Sequence, residues 1–175
     1  MRFPGTPHFA FLLLALTPLC HAAGGGLTIT SPDFASGANI PSRCTCKGDD
    51  TSPTLQISGA PAAAKSLVLI VDDPDAPSGT FTHWLIGNLP PDTKLISAGA
   101  TPSGGLQGIN SFGTAGYSGP CPPAGTHRYF FRLFALNSIL ALPAGASRAA
   151  WDAAMQGHVI GQTFLMGRFS KSDLQ

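Results

Sequence analysis

Ser66-Leu67-Val68-Leu69-Ile70-Val71-Asp72-Asp73-Pro74-Asp75-Ala76-Pro77 is the stretch on which the reading of this chain turns. Its first half is a continuous apolar run, the kind carried by a strand buried on both faces. Its second half sets three carboxylates within four positions, where the chain leaves the core, and Pro74 and Pro77 fix φ and stiffen the turn. Such charges repel one another unless cations, a metal or backbone donors offset them. Spacing alone leaves a solvated structural turn and a functional acidic turn equally open.

Outward from this stretch the pattern is mostly β. Residues 27–30 start a strand, residues 53–58 alternate Leu55 and Ile57 in one direction, and residues 82–89 and 128–136 repeat the buried apolar character. The 21 glycines and 16 prolines are spread without a period, which points to short elements joined by tight turns. Residues 92–125 form a long run of Gly, Ser, Pro, Thr and Asn, longer than a domain tolerates without a functional reason, and are expected to supply pocket walls. One helix is predicted over 146–159, with Ser147 as its cap, Trp151 inside it and Gly157 or Gly161 to end it. Residues 161–169 read as a final strand, and no internal repeat is visible.

The N-terminus carries Arg2, an apolar run around residues 9–16, and then Cys20-His21-Ala22-Ala23. This pattern predicts a signal peptide over residues 1–22 and a single mature domain over 23–175, placed in the periplasm or secreted. The apolar run falls short of the roughly 20 residues that a membrane span needs. Lipidation at Cys20 is disfavoured, because Pro18 and Leu19 precede it where small residues are wanted. Loss of Arg2 leaves nine Lys/Arg against nine acids, all of them Asp. A neutral chain does not favour nucleic acid or an anionic membrane surface, both of which reward basic excess.

Beyond residue 22 the cysteines are Cys44, Cys46 and Cys121. An odd number in an oxidising compartment allows at most one intrachain disulfide, and spacing assigns Cys121 to Cys44 or to Cys46. A zinc site from these three and a histidine is disfavoured, since C-x-C lacks the usual gap between ligands. No metal and no cofactor are expected. Thr82-His83-Trp84 and Thr126-His127-Arg128-Tyr129 each place a histidine at the loop-proximal end of an apolar strand, which points to a shared rim. Arg128 is expected to pair with an aspartate and leave the imidazoles to meet an anion. The 116–125 segment, Gly116-Tyr117-Ser118-Gly119-Pro120-Cys121-Pro122-Pro123-Ala124-Gly125, is expected to expose backbone N–H groups suited to cradling one.

Taken in order, Val71-Asp72-Asp73-Pro74-Asp75-Ala76-Pro77, His83-Trp84-x-x-x-Asn88-Leu89-Pro90, Asn110-x-x-Gly113-x-x-Gly116-Tyr117-x-Gly119-Pro120-x-Pro122-Pro123 and His127-Arg128-Tyr129 resemble the phosphatidylethanolamine-binding protein (PEBP) family. The resemblance covers residues 27–170 and is closer to the bacterial Raf-kinase-inhibitor-like branch, of YbhB/YbcL type. It implies a PEBP-like fold: a central antiparallel sheet packed on a second, smaller sheet, with one C-terminal helix. It also implies a small anion pocket of Asp73, Asp75, His83, His127 and Tyr129, with Gly119 and Pro120 as a wall. Matches around Cys46 and Cys121 look like those of secreted members and favour a Cys46–Cys121 disulfide. Cys44 departs from the pattern, with competition for Cys121 or a link between two chains, and hence a dimer, as its alternatives.

The expected function is binding of a small anionic ligand, phosphate- or carboxylate-bearing, with micromolar-class affinity of roughly 8 kcal/mol. No catalytic residue is assigned: a Gly-x-Ser-x-Gly elbow is missing, and Asp73 and Asp75 in one Pro-locked turn are a poor pair for glycoside hydrolysis. The alternative is a protein-interaction module or protease inhibitor acting through residues 92–125.

Overall fold

A computed structural model describes Met1 and residues 26–174. The signal-peptide reading of residues 1–22 therefore lies, apart from Met1, outside the described residues. Eight strands and one α-helix follow in the order β1 (Thr28–Thr30), β2 (Leu55–Ser58), β3 (Ser66–Asp73), β4 (Phe81–Leu89), β5 (Leu95–Ile96), β6 (Leu106–Gln107), β7 (Thr126–Leu136), α1 (Arg148–Met155) and β8 (Val159–Ser170). They form a three-stranded sheet, β1-β2-β5, and a five-stranded sheet, β6-β4-β3-β7-β8, in which every strand pairing is antiparallel. A large sheet on a small one, with one helix near the C-terminus, is the expected architecture.

The apolar run sits at the centre of the large sheet, and every residue of β3 is buried. Period-two alternation splits it: Leu67, Leu69 and Val71 enter the core shared with the small sheet, beside Ile57, Leu55 and Ile96. Val68 and Ile70 face the other way, into the cluster that Trp151 and Met155 of α1 complete. A Cβ on Gly87 of β4 would stand 2.5 Å from the Trp151 ring, so glycine there lets the helix seat on the sheet.

Two expectations are corrected. The helix spans Arg148–Met155 rather than 146–159: Ser147 caps it through Ala150 N–H, but Gly157 takes φ +77° and Val159 already pairs with Leu136. Val159 and Ile160 join the final strand, where β-branched side chains pack well. The 92–125 stretch also holds structure of its own, since β5 docks on β2 with Ile96 buried and β6 docks on β4.

Candidate functional site

Strand geometry resolves the crowding of the acidic turn. Asp72 follows Ile70 onto the helix side of the sheet, where Arg148 Nη1 donates to it at 2.6 Å and Thr82 Oγ1 at 3.0 Å. Asp73 follows Val71 onto the opposite side and accepts from His127 Nδ1 at 2.7 Å and from Asp75 N–H at 2.8 Å. Asp75, beyond the strand, takes a two-pronged bond from Arg128, Nε at 2.9 Å and Nη2 at 2.7 Å. Each carboxylate thus has its own cationic or imidazole partner, and Arg128 pairs as expected. The Arg128 guanidinium holds the Asp75 carboxyl down at about 2.

His83 reaches the same side through a bulge. Val71 stands opposite Trp84 but Asp72 stands opposite Thr82, so β4 carries one extra residue there. Thr82 stays on the helix side with Leu85, while His83 and Trp84 both face the other way. Bulges commonly re-aim a side chain in this manner beside functional sites. The His83 ring then meets Tyr129 edge-on at 5.3 Å, and His127 lies beyond Tyr129 at 6.5 Å between ring centres.

Next to this row lies a cavity of about 290 Å³ lined by Asp73, Ala76, Pro77, Ser78, Phe81, His83, Phe112, Cys121, Pro123 and Tyr129. The Tyr129 hydroxyl is buried and has no hydrogen-bond partner among the described residues, and burial raises its pKa above the ordinary tyrosine value. His83 Nδ1 lies 2.6 Å from the Ser118 carbonyl, which can only accept, so Nδ1 carries the proton and Nε2 is left basic. Burial lowers the His83 pKa and favours that neutral form. Asp75 and His127 line a neighbouring open depression with Arg128 and Arg168 instead.

Gly119 and Pro120, expected as a wall, are buried and do not line the cavity. The Gly119 N–H donates to Asp50 at 2.6 Å and the Ser118 N–H to the His83 carbonyl, so these two amides of the expected cradle are already engaged. A Cβ on Gly119 would run into the Cys44 carbonyl, which is why glycine stands there. Asn110 organises the loop from below: its Oδ1 accepts from Phe112 N–H and Thr114 N–H, and its Nδ2 donates to the Gly116 carbonyl and Ser118 Oγ. Cys46 and Cys121 are joined, which consumes two ligands of the zinc alternative and clasps the cavity wall to the segment after the 3-10 turn at Ser42–Cys44. Cys44 is free and buried, so it neither competes for Cys121 nor offers a surface link between chains.

The sequence profile of the phosphatidylethanolamine-binding proteins matches residues 30–170, most of the chain. This chain belongs to that family. It is 51% identical over 143 residues to a UPF0098 protein of Methanothermobacter thermautotrophicus, covering 79% of this chain and 95% of that one. It is 46% identical over 145 residues to a Mycobacterium tuberculosis protein that carries a lipoprotein name, LppC, covering 82% and 72%. The PEBP homologue CT736 of Chlamydia trachomatis superposes with a TM-score of 0.80 at 40% identity, over 83% of this chain and 98% of that one. Escherichia coli YbcL superposes with a TM-score of 0.78 at 29% identity, over 83% and 99%.

Phe112 and Pro123 of the 92–125 stretch do line the cavity, as that stretch was expected to, whereas Phe81 and Asp50 were not anticipated. Phe112 was open to inference as the one large aromatic between residues 92 and 116, a stretch otherwise almost without apolar anchors. Asp50 gave no signal, because its contact with Gly119 spans 69 positions.

Proposed function

We propose that this PEBP-family chain binds a small oxyanion, phosphate- or carboxylate-bearing, in the cavity between His83, Tyr129 and the 112–123 segment. The buried, unpartnered Tyr129 hydroxyl carries the reading: such a group costs roughly 1–3 kcal/mol unless something accepts from it, and a ligand oxygen is the natural acceptor. The aspartates act by orientation, Asp73 fixing the His127 ring and Asp75 immobilising Arg128. The role is binding rather than catalysis: among the described residues no hydroxyl or thiol hydrogen-bonds to either imidazole, and Cys121 at the cavity wall is oxidised. A location outside the cytoplasm is supported by that disulfide, by the leader-like N-terminus and by the lipoprotein name of one relative. No described helix is long and apolar enough to cross a membrane.

The test is calorimetric titration of inorganic phosphate into wild type and His83→Ala, which removes a cavity-lining imidazole, with circular dichroism to verify the fold. The expected result is micromolar-class binding for wild type and a loss of at least about tenfold for the variant. Equal affinity in the two would remove the pocket assignment. A second reading, contact with a protein through residues 92–125, is favoured by Phe112, which is 51% exposed at the cavity. Capture of a protease that survives His83→Ala and fails with Phe112→Ser would establish it.

A further inference from the structure

β8 ends the large sheet, and its outer edge is covered along only part of its length. The Gly37 N–H donates to the Met166 carbonyl, the Arg168 N–H to the Ala38 carbonyl and the Ile40 N–H to the Arg168 carbonyl, so residues 37–40 cap the C-terminal part. Met166 and Arg168 thus turn their backbone groups outward. By the alternation of an antiparallel ladder Gln162 and Phe164 do the same, and their N–H and C=O groups have no partner among the described residues. Residues 159–165 carry no charge and no proline, two devices that commonly close an edge to further pairing.

Beside this open edge lies an arginine–aromatic platform on the helix side of the sheet. Phe164, 53% exposed, meets Phe130 edge-on at 5.4 Å, and the Arg132 guanidinium lies over the Phe130 ring at 4.7 Å. A cavity of about 380 Å³ opens between Arg132, Phe134, Gln162, Thr163 and Phe164. Arg132 Nε stands 3.8 Å from Asp72, a carboxylate that Arg148 already holds at 2.6 Å, so the Arg132 guanidinium keeps its donors for a further acceptor. The carboxylates beside the platform, Asp72, Asp75 and Asp152, are each taken by an arginine, and exposed Arg168 has no carboxylate partner among the described residues. The platform therefore offers uncompensated positive charge.

We propose that an extended acidic segment of a partner protein adds as a strand to β8 at Gln162 and Phe164. Its backbone takes up their outward N–H and C=O groups. Partner residues opposite Gln162 and Phe164 stand on the same side of the sheet, so carboxylates there reach the Arg132 guanidinium, while alternate apolar residues lie beside Thr163. Charge singles out the occupant: the β8 of a second copy would bring Gln162, Phe164 and Arg168 to the edge and no carboxylate. The site lies on the opposite side of the sheet from Tyr129, and it stands or falls separately from the oxyanion cavity.

The experiment titrates the whole protein calorimetrically with three capped heptapeptides: glutamate alternating with valine, lysine alternating with valine, and the acidic peptide N-methylated at every glutamate. The acidic peptide is expected to bind with a Kd below about 1 mM. The lysine peptide, which meets Arg132 with like charge, and the N-methylated peptide, which has lost the amides that face β8, should each bind at least about tenfold more weakly. Arg132→Gln should weaken the acidic peptide about threefold and leave the N-methylated one no stronger. No binding of the acidic peptide, equal binding of either control peptide, or an undiminished affinity in Arg132→Gln overturns the proposal. Where the acidic peptide fails, a dimer in sedimentation velocity that Phe164→Glu dissolves assigns the edge to a second copy instead.

Discussion

Tyr129 buries a hydroxyl at the cost of a hydrogen bond. It has no hydrogen-bond partner among the described residues, and such a group destabilises by roughly 1–3 kcal/mol. Tyr129→Phe should therefore stabilise the ligand-free chain by about 1 kcal/mol while weakening phosphate binding at least tenfold; urea melts and calorimetry measure the two effects. Asp75 makes a different prediction. Its folded pKa, about 2, lies below the ordinary value of 3.8, so the unfolded chain takes up the proton first on acidification. The contribution of the Arg128–Asp75 pair is present above pH 4 and is lost as pH falls toward 2. Wild type should lose stability through that window, and Asp75→Asn should lose less. His83, whose folded pKa is lowered from 6.5, adds an earlier decline that begins as pH drops below 6.5.

At the scale of the element, the close seating of α1 on β4 makes Gly87→Ala a sharp probe. The added methyl meets the Trp151 ring and should cost about 1–3 kcal/mol by overpacking, read as a lowered urea midpoint with an unchanged slope. Elements were legible where one physical rule acted alone. The unbroken apolar run of β3 and the strands around Leu85 and Phe131 follow from burial, and their edges came within two residues of those observed. The helix end was misjudged because the stop was set at Val159, whereas Gly157 turns the chain at φ +77° and Val159 already pairs with Leu136. The bulge at His83 left no trace in the pattern, since one extra residue in a ladder depends on the partner strand. Of the residues named from the sequence, Asp73, His83 and Tyr129 line one cavity, while Asp75 and His127 line the depression beside it and Gly119 and Pro120 line neither; that His83 and Trp84 share a side was not legible.

For the whole molecule, the Cys46–Cys121 bridge spans a sequence separation of 75, closing most of the half-chain that contains β2 to β6. Removing it as Cys46→Ala/Cys121→Ala should cost about 2–5 kcal/mol, visible as a lower melting temperature that reductant no longer changes. The same clasp joins the cavity wall to the segment that carries Asp50, so the double variant should also bind phosphate more weakly than wild type. Cys44 adds a constraint on how such a chain is made. Three thiols in the described residues offer three possible single bridges, and only one is compatible with the finished fold. Folding withdraws Cys44 behind the pocket wall, with no exposed surface and a thiol pKa raised by burial, so it stops exchanging once the sheets have packed. Oxidation that outruns packing can trap the wrong pair, and the yield of native protein then depends on the order of two clocks, collapse first and bridging second.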